Sequence, residues 1–374
     1  MRLCDIASAL SIDLPDPQQV TSFCIDSRDV IAGSVFLAFK GSRVDGHHYL
    51  DKAREKGAVL ALVEEKQSDA LMQLVVPSMM EAIIKLATYY RTQWCDTKVI
   101  AVTGSAGKTS SKEMLKVVCE GVFTTYATYK NQNNLLGLSL NILNKPVAAK
   151  VAILELGINA PGEMTELVAL AKPHVSIITN IGACHLEGLG DEVTIAKEKS
   201  AIFSGLSDDG VAIFDADSPY VDIFRQRSCH VTQLCYSANE AVNIAKVSSL
   251  TVNDQGCYRF DVTCDDVTTR YSLSVCGRYQ VYNAVGVILA AHALGVKAEL
   301  VVRYLATYQG TQQRFEQWKL PNGSLLIDDG YNANPLALKA AISAMNDLRF
   351  PINALVLADM KELGEQSVYW HERI

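Results

Sequence analysis

A lysine and a threonine that follow a glycine turn are the residues of this chain best suited to phosphate chemistry. The segment Val99–Thr109 reads VIAVTGSAGKT, so four apolar residues lead into a turn that ends in Gly107, Lys108 and Thr109. A helix-like run, SSKEMLKVVCEGV, follows. Backbone N–H groups at a helix N-terminus attract anions, Lys108 can reach terminal phosphates, and the Thr109 hydroxyl suits Mg²⁺. The segment therefore predicts a site for the phosphates of ATP or GTP.

The turn departs from the general phosphate-binding loop at one position. That pattern has a glycine five residues before Gly107, where this chain has Val102. The tighter loop indicates a particular subfamily of nucleotide-binding proteins. The alternative is a chance GKT in a surface turn, and the strand before it and the helix after it argue against that alternative.

Carboxylate and imidazole side chains at two further strand ends are candidate metal ligands. Glu155 lies at the end of the apolar run VAILELG, and a buried carboxylate is costly unless it is paired or binds a metal. Mg²⁺ prefers oxygen ligands, so Thr109, Glu155 and a nucleotide phosphate would form a suitable set. A carboxylate that caps a helix is the alternative for Glu155. His185 and Glu187 follow another strand. A lone histidine is more often structural than a metal ligand, and the residues alone leave both roles open for His185.

Two lysines, Lys197 and Lys199, lie on the helical segment TIAKEKSAIF just after this histidine. Such lysines usually form a solvated face. A desolvated lysine with a lowered pKa can instead react with carbon dioxide to give a carbamate, which is an anionic metal ligand. The residues alone leave both possibilities open.

Two polar segments complete the set of candidates. The segment Thr128–Gly137 contains three asparagines in four residues, which suits either contact with a polar ligand or an ordinary turn. The segment Asp328–Pro335, DDGYNANP, places two acids and a tyrosine between a strand and a helix. Ligands of α/β proteins bind at such strand-to-helix junctions.

The central elements that position these residues alternate between apolar strands and helices. This alternation over residues 98–312 predicts a mostly parallel sheet covered by helices. The segment Asn243–Val275 is predicted to be β-rich, and Tyr282–Leu294 is predicted to be an apolar helix. The predicted strands are Val99–Val102, Val151–Leu156, Val175–Thr179 and Val211–Phe214.

Smaller units are predicted on either side. Residues 1–93 form a separate α/β unit with β-like runs at Ser34–Phe39 and Ala58–Glu64 and a helix at Glu81–Tyr90. Residues 313–374 form a third unit, which we expect to be truncated and either poorly packed or mobile, because a parallel α/β domain normally needs more than two strands. Its predicted elements are the strands Ser324–Asp328 and Ala354–Leu357 around the helix Leu336–Leu348.

Composition excludes several classes of function. The 374 residues carry a net charge of −7 without a basic run, so we expect no nucleic-acid partner. No apolar run approaches the roughly 18 residues that span a bilayer, so we expect no membrane partner. The ten cysteines form no CxxC pair and no zinc-like cluster, which indicates free thiols and a cytoplasmic location.

Taken together, the motifs resemble a known family. TGSAGKTS, the ExG at Glu155–Gly157, HLEGLG at His185 and GRYQVYN at Gly277–Asn283 resemble, in order and spacing, the Mur ligases, which are ATP-dependent amide ligases of peptidoglycan precursor synthesis. KNQNNLLG, ELGINAPGEM, DDGYNANP and DMKELG resemble the members that join D-alanyl-D-alanine to UDP-N-acetylmuramoyl-tripeptide. DSR at Asp26–Arg28 and FLAFKGSRVDGHHYL at Phe36–Leu50 extend the resemblance over essentially the whole chain.

The resemblance implies a fold, cofactors and roles for particular residues. The fold would be α/β, with a UDP-sugar-binding domain (1–93), a central P-loop ATP-binding domain (98–312) and a partial Rossmann-like ligase domain (313–374). ATP and two Mg²⁺ ions would be bound, and Lys199 would be carbamylated. The implied metal ligands are Thr109, Glu155, His185 and Lys199; of these, Glu155, His185 and Lys199, together with Lys108, would also be catalytic. The implied nucleotide-binding residues are Thr103, Gly104, Ser105, Gly107, Lys108, Thr109, Ser110, Asn283, Arg314, Asp329 and Tyr331. The implied substrate-binding residues are Ser27, Arg28, Lys40, Gly41, Asp45, Gly46, His47, Asn133 and Asn134.

The resemblance also implies the reaction. ATP would convert the tripeptide carboxylate to an acyl phosphate, which the amine of D-alanyl-D-alanine would attack, and the enzyme would be a monomer. The family usually has GRHNxxN where this chain reads GRYQVYN, so Asn283 keeps its implied role while Gln280 is given none. Because the third unit is shorter than the family's domain, a catalytically impaired member that still binds UDP-sugar or ATP is an alternative. A ligase that adds one amino acid and a folate polyglutamylating relative are further alternatives, and DSR and DDGYNANP disfavour them.

Overall fold

The computed structural model describes residues 1–41, 44–239 and 245–374. These residues form two compact units. Unit 1 comprises Met1–Asp96 and Asn134–Val147, and unit 2 comprises Thr97–Asn133 and Ala148–Ile374. Ser42 and Arg43 of the N-terminal motif, and Asn243 of the predicted β-rich segment, lie outside the described residues.

Unit 1 has a small parallel sheet among its described residues. The strands lie in the order β1-β2-β3-β4, and each pairs in parallel with its neighbour. β2 and β3 are short runs of buried residues, as expected for strands covered on both faces. The strands are β1 (Ser22–Cys24), β2 (Ser34–Leu37), β3 (Leu60–Val63) and β4 (Gln73–Val75). The helices are α1 (Leu3–Ala9), α2 (Leu50–Glu55), α3 (Met79–Thr92) and, from the later segment, α5 (Leu135–Leu143).

Unit 2 is built on a long sheet whose described strands lie in the order β13-β12-β11-β10-β9-β8-β5-β7-β6. The seven strands from β5 to β11 are parallel, and β12 and β13 extend the sheet by antiparallel pairing, β12 with β11 and β13 with β12. A separate antiparallel pair, β14 with β15, comes from the C-terminal residues. The strands are β5 (Lys98–Thr103), β6 (Thr125–Ala127), β7 (Val151–Glu155), β8 (Val175–Ile178), β9 (Val211–Asp215), β10 (Thr232–Ser237), β11 (Ala245–Val252), β12 (Cys257–Cys264), β13 (Val267–Cys276), β14 (Glu316–Lys319) and β15 (Leu325–Asp328).

Helices of unit 2 pack on this sheet through apolar faces. α4 and α10 pack against each other and contribute Met114, Leu115 and Val285 to a buried core shared with the strands. The helices are α4 (Lys108–Glu120), α6 (Glu163–Ala171), α7 (Leu186–Leu189), α8 (Glu192–Ser200), α9 (Val221–Arg227), α10 (Arg278–Ala293), α11 (Ala298–Leu305), α12 (Pro335–Asp347) and α13 (Ser367–Arg373). Over the described ranges, no helix is both long enough and apolar enough to cross a membrane.

One predicted strand is wrong. Ala354–Leu357 has no regular secondary structure, and Val356 is 99% exposed. An apolar run becomes a strand only where a neighbouring strand offers backbone partners, and β14 and β15 pair only with each other among the described residues. The predicted central strands and the helices around Glu81–Tyr90, Tyr282–Leu294 and Leu336–Leu348 are present, with ends that differ by a few residues.

Candidate nucleotide and metal site

The glycine turn predicted to bind phosphate connects β5 to α4. β5 ends at Thr103 and α4 begins at Lys108, so the turn opens at the carboxyl edge of the parallel sheet. The Lys108 ammonium donates a hydrogen bond of 2.7 Å to the carbonyl of Gly104, which folds the lysine back over the turn. Thr109 and Ser110 follow in the first turn of α4, where free backbone N–H groups face an incoming anion.

Gly107 brings Asn283 against this turn. Gly107 has a φ of 80°, and a Cβ at this position would overlap the Asn283 side-chain oxygen. Asn283 lies on α10 and donates a hydrogen bond of 3.1 Å to Gln280 Oε1. Gln280, at the position that departs from the family pattern, therefore orients Asn283 toward the turn. The sequence prediction gave Gln280 no role.

Residues after β8 hold the turn from the other side. The Ala106 N–H donates to Asn180 Oδ1 at 2.8 Å. Ser105 Oγ donates to the Gly182 carbonyl and accepts from the Gly182 N–H, both at 3.0 Å. Asn180 was not among the predicted site residues, although its place directly after a predicted strand at the ligand-binding edge was a signal for it.

Glu155 ends β7, beside Val102 of β5, and is 2% exposed. Asn133 Nδ2 donates to Glu155 Oε1 at 2.9 Å. The other carboxylate oxygen, Oε2, is buried and has no hydrogen-bond partner among the residues that the structure describes. A buried carboxylate oxygen without a donor is strongly unfavourable, so this oxygen marks a place for a cation.

Lys199 is the second residue with a buried polar atom that lacks a hydrogen-bond partner among the described residues. Its side chain on α8 is fully buried, and within the described ranges its Nζ makes no hydrogen bond. Burial, and then the positive charge of Lys108, lower the pKa of Lys199 to about 7. Lys197, two residues earlier, is exposed. The environment of Lys199 therefore disfavours an ammonium ion and would favour a neutral or anionic group.

His185 lies close enough to these lysines to interact with their charges. Burial, and then the charge of Lys199, lower the pKa of His185, while Glu362 opposes the shift. His185 Nδ1 lies 2.5 Å from Glu362 Oε2, which is within ion-pair distance. The two groups are not oriented for a hydrogen bond. The structure thus brings Lys108, His185 and Lys199 into one electrostatic neighbourhood in unit 2.

A cavity of about 170 Å³ opens over the phosphate turn. Arg314 lines it, and its guanidinium stacks 4.1 Å from the ring centre of Tyr331. Asp329 also lines the cavity, accepts a hydrogen bond of 3.0 Å from the Phe315 N–H, and has a pKa raised by burial. The C-terminal residues therefore supply one wall of a cavity whose floor is the phosphate turn.

The sequence prediction missed three further wall residues, Tyr279, Asn332 and Asn334. Asn334 caps α12 by accepting from the Ala337 N–H at 2.8 Å, and its Nδ2 donates to the Ser105 carbonyl at 3.3 Å. The NP pair before a helix indicated the cap, but only the folded chain shows the contact with the phosphate turn.

The candidate sugar-nucleotide residues all lie in unit 1. Ser27 and Arg28 follow β1 and the others follow β2, so these loops leave the same edge of adjacent parallel strands. Arg28 forms an ion pair of 2.6 Å with Asp26, and its side chain is exposed. Lys40 forms a single antiparallel bridge with Asp45, and Gly41 follows Lys40 directly. The Gly46 N–H donates a hydrogen bond of 2.7 Å to the Phe39 carbonyl.

His47 is buried and both of its ring nitrogens are engaged. Nδ1 bonds to Asp45 Oδ1 at 2.7 Å, and Nε2 accepts from the Glu64 N–H at 3.1 Å. Asp45 Oδ1 also accepts from the His47 N–H at 3.0 Å. His47 therefore fixes the shape of the loop. Asn134, also in unit 1, caps α5 by accepting from the Gly137 N–H at 2.8 Å.

Comparison with family models gives two matches. The Mur ligase middle domain matches residues 102–291, and the catalytic domain of the Mur ligase family matches residues 19–95. The first match alone covers half of the chain and contains the phosphate turn, Glu155, His185, Lys199 and Asn283.

Individual proteins match nearly the whole chain. UDP-N-acetylmuramoyl-tripeptide--D-alanyl-D-alanine ligase of Bacillus subtilis is 31% identical, and the match covers 98% of this chain and 80% of that protein. The protein of the same name from Escherichia coli is 32% identical, with coverage of 93% and 76%. A crystal structure of MurF from Acinetobacter baumannii superposes with a TM-score of 0.91 at 30% identity, covering 99% and 81% of the two chains. The MurF ligase of Thermotoga maritima in complex with ADP has a TM-score of 0.83 at 29% identity, with coverage of 95% and 81%.

Proposed function

The chain belongs to the Mur ligase family, and we propose from this membership that it joins D-alanyl-D-alanine to UDP-N-acetylmuramoyl-tripeptide with hydrolysis of ATP to ADP and phosphate. Its relatives with this activity in their names match it over nearly its whole length. The product is a precursor of peptidoglycan. Because ATP is a cytoplasmic substrate, we place the reaction in the cytoplasm, and we propose that the enzyme is a monomer.

The observation that carries the proposal is the buried Glu155 Oε2 beside the phosphate turn, which has no hydrogen-bond partner in the part of the chain that the structure describes. A divalent cation at this oxygen would satisfy it, and Thr109, Glu155, His185 and a modified Lys199 are the donors that would hold two Mg²⁺ ions. Bound Mg²⁺ would neutralise charge between the substrate carboxylate and the γ-phosphate. The residues fit these ions because three of the four donors lie at strand ends or helix starts on one edge of the sheet.

The chain's own residues then have the following roles. The phosphate turn, Thr103–Ser110, holds the triphosphate through backbone N–H groups, and Lys108 exchanges its bond to the Gly104 carbonyl for a phosphate oxygen. Asn283, Arg314, Asp329 and Tyr331 hold the nucleoside. Asn133 keeps Glu155 in place through its 2.9 Å hydrogen bond.

Substrate positioning completes the reaction. Ser27, Arg28 and the loop from Lys40 to His47 bind the uridine diphosphate, and Asn133 and Asn134 line the path of the peptide carboxylate.

The carboxylate attacks the γ-phosphate to give an acyl phosphate, and the amine of D-alanyl-D-alanine displaces phosphate. Residues that exclude water protect this reactive acyl phosphate from hydrolysis.

Lys199 has a defined chemical role in this proposal. Its ammonium group first releases one proton, and the neutral amine then adds to carbon dioxide to form a carbamate with release of a second proton, so that an anion replaces a buried cation. The absence of any hydrogen-bond partner for Nζ among the described residues, and the nearby positive charge of Lys108, support this change.

Phosphate release from Mg-ATP tests the proposal. We expect release that requires both UDP-N-acetylmuramoyl-tripeptide and D-alanyl-D-alanine, and loss of it in Lys108→Ala. Lys116→Ala is the matched control, because Lys116 lies on the same helix with its side chain exposed. Binding of UDP-N-acetylmuramoyl-tripeptide without phosphate release would show an impaired ligase, and failure to bind it would refute the assignment.

A further inference from the structure

Two cysteines face each other beside the nucleotide cavity, and the proposed reaction uses neither. Cys257 begins β12 and Cys276 ends β13, and they are direct partners in the antiparallel register. Their sulfur atoms lie 4.0 Å apart. The Cα atoms of directly opposed residues in an antiparallel pair are about 4.5–5.5 Å apart, which is within the range of disulfide-bonded cysteines.

Both thiols border open space. They line a cavity of about 750 Å³ that is separate from the phosphate turn but shares Arg314 with the nucleotide cavity. Cys276 is buried and Cys257 is half-buried. A small oxidant can therefore reach Cys257 through the cavity, and Cys276 is placed to react in the second step.

Hydrogen bonds connect Cys276 to two residues that line the same larger cavity, Gln317 and Gln255. Gln317 Nε2 of β14 donates to the Cys276 sulfur at 2.8 Å, and Cys276 itself donates to the Gln255 carbonyl at 2.7 Å. Cys276 also packs with Phe315, whose N–H bonds to Asp329. Gly277, the next residue, begins the helix that carries Gln280 and Asn283.

We propose that Cys257 and Cys276 form a peroxide-reactive dithiol whose oxidation to a disulfide weakens nucleotide binding. The Cys257 thiol first releases its proton, and the thiolate attacks one oxygen of hydrogen peroxide. The O–O bond breaks, and the hydroxide that leaves takes up a proton, so the products are a Cys257 sulfenic acid and water. The Cys276 thiol then attacks the Cys257 sulfur, and the hydroxyl leaves as a second water. Two thiols are oxidised and one peroxide is reduced to two waters.

The local electrostatics agree with this order of attack. The neighbouring Cys276 side chain lowers the pKa of Cys257, which increases the fraction of Cys257 that is thiolate. The Cys276 sulfur must then move from its partner Gln317 toward Cys257. Loss of that hydrogen bond releases β14, which positions Arg314 and Asp329 at the nucleotide.

The effect on ATP rests on the proposed nucleotide site, whereas the disulfide chemistry does not. The experiment treats the full chain with hydrogen peroxide, counts thiols, maps disulfides by mass spectrometry of non-reduced peptides, and measures the Kd for ATP. We expect loss of two thiols, a Cys257–Cys276 peptide, and an ATP Kd raised about fivefold, which corresponds to one lost hydrogen bond. Dithiothreitol should restore both the thiols and the affinity.

Control variants separate the possible outcomes. Cys257→Ser should bind ATP like the reduced protein and keep that affinity after peroxide, and Cys229→Ser, which removes an exposed cysteine elsewhere, should behave as the wild type does. A sulfinic acid at Cys257 without a crosslink, or a disulfide that leaves the Kd unchanged, would overturn the proposal. If the reduced protein bound no ATP, the proposed function would fail, and thiol mapping would still decide the disulfide chemistry.

Discussion

At the scale of single residues, Lys199 and Glu155 are buried ionisable groups that lack part of their expected partners. Lys199 Nζ and Glu155 Oε2 have no hydrogen-bond partner among the residues described. Such atoms are rare in native proteins, and they concentrate where a ligand, ion or covalent modification completes the structure. Both atoms belong to residues that the sequence motifs had already selected.

Lys199 should carry a carbamate. With ¹³C-bicarbonate, we expect an NMR signal from a bound carbamate in the wild-type protein and its loss in Lys199→Ala. Ligation should fall by about 100-fold or more in that variant, as when an electrostatic group is removed from an active site. The matched control is Lys197→Ala, because Lys197 is exposed two residues away on the same helix. A carbamate signal that survives in Lys199→Ala would contradict the assignment.

The carboxyl group of Asp215, at the end of β9, should make the stability of the protein depend on pH. Burial raises its pKa to about 6; a hydrogen bond from the Asp217 N–H opposes the shift, and the charge of Asp217 adds to it. Because the folded pKa lies above the unfolded value, the native state has its full stability below about pH 4 and loses some as the pH rises through 6.

Asp215→Asn should remove this loss. We expect the variant to exceed the wild type in free energy of unfolding at pH 8 by about 1 kcal/mol, after allowance for partial solvent screening, and to show no gain at pH 4. Urea denaturation at both pH values measures the difference, and Asp208→Asn, at an exposed position, is the control. An equal gain at both pH values would show that ionisation of Asp215 is not the cause.

At the scale of elements, a comparison of two glycines distinguishes the cost of backbone strain from the cost of a clash with a neighbouring side chain. Gly107 and Gly162 both precede helices with positive φ, at 80° and 87°. A Cβ on Gly107 would overlap Asn283, whereas a Cβ on Gly162 would meet no atom within 4 Å. Alanine at either position should cost about 1 kcal/mol through the left-handed backbone.

Gly107→Ala should also weaken ATP binding by at least about tenfold, because it moves Asn283 and the phosphate turn apart at a cost above ~1.4 kcal/mol. Gly162→Ala should leave the ATP Kd unchanged. Calorimetric titration with ATP and urea denaturation of both variants provide the measurements. Equal ATP affinities in the two variants would refute the role of the Gly107–Asn283 contact.

Lys112 couples α4 to the segment that carries Asn133. It is fully buried, and it donates to the carbonyls of Thr128 at 2.9 Å and Lys130 at 3.3 Å. Its ion pair with Glu113 is 2.9 Å long. This anchoring holds the segment whose last residue, Asn133, bonds to Glu155.

Lys112→Met should therefore destabilise unit 2 by about 2–3 kcal/mol, since it leaves the buried Thr128 carbonyl and the partly buried Lys130 carbonyl without their donor. It should also raise the Mg²⁺ concentration needed for half-maximal activity, because Glu155 loses its support. Lys116→Met is the control: Lys116 is exposed and its 3.9 Å pair with Glu120 contributes little. A stable Lys112→Met variant with unchanged Mg²⁺ dependence would show that the anchor is dispensable.

At the scale of the whole molecule, the C-terminal residues combine an irregular segment with a helix that contacts the phosphate turn. Ile352 and Val356 are 85% and 99% exposed, whereas Asn334 at the start of α12 bonds to Ser105. We expect limited proteolysis to cut residues 350–362 before any site in the central sheet. Uniform resistance along unit 2 would count against this expectation.

Nucleotide binding should protect α12 in the same molecule. ATP contacts Arg314 and Asp329 in the proposed function, so amide hydrogen exchange in α12 should slow when Mg-ATP is added, while the exposed segment 350–359 should be unaffected. Lys108→Ala should abolish the protection. Protection that persists in Lys108→Ala would show that it does not report on the nucleotide site.

The sequence by itself determined much of the fold and selected the candidate site residues. Short buried strands such as Val151–Glu155 were predictable because apolar runs flanked by glycine and polar residues have few other stable structures. The phosphate turn, Glu155 and Lys199 were predictable because motif order and spacing constrain them. The error at Ala354–Leu357 arose because an apolar run does not reveal whether a neighbouring strand is available.

Only the tertiary structure decided which of these residues have hydrogen-bond partners and which lack them among the described residues. That Lys199 Nζ and Glu155 Oε2 lack partners, that Gln280 orients Asn283, and that Cys257 faces Cys276 all depend on residues far apart in the chain. Spacing along one segment carries no information about such contacts. They arise when the strands and helices pack, because burial and the distances between unconnected segments are fixed only then.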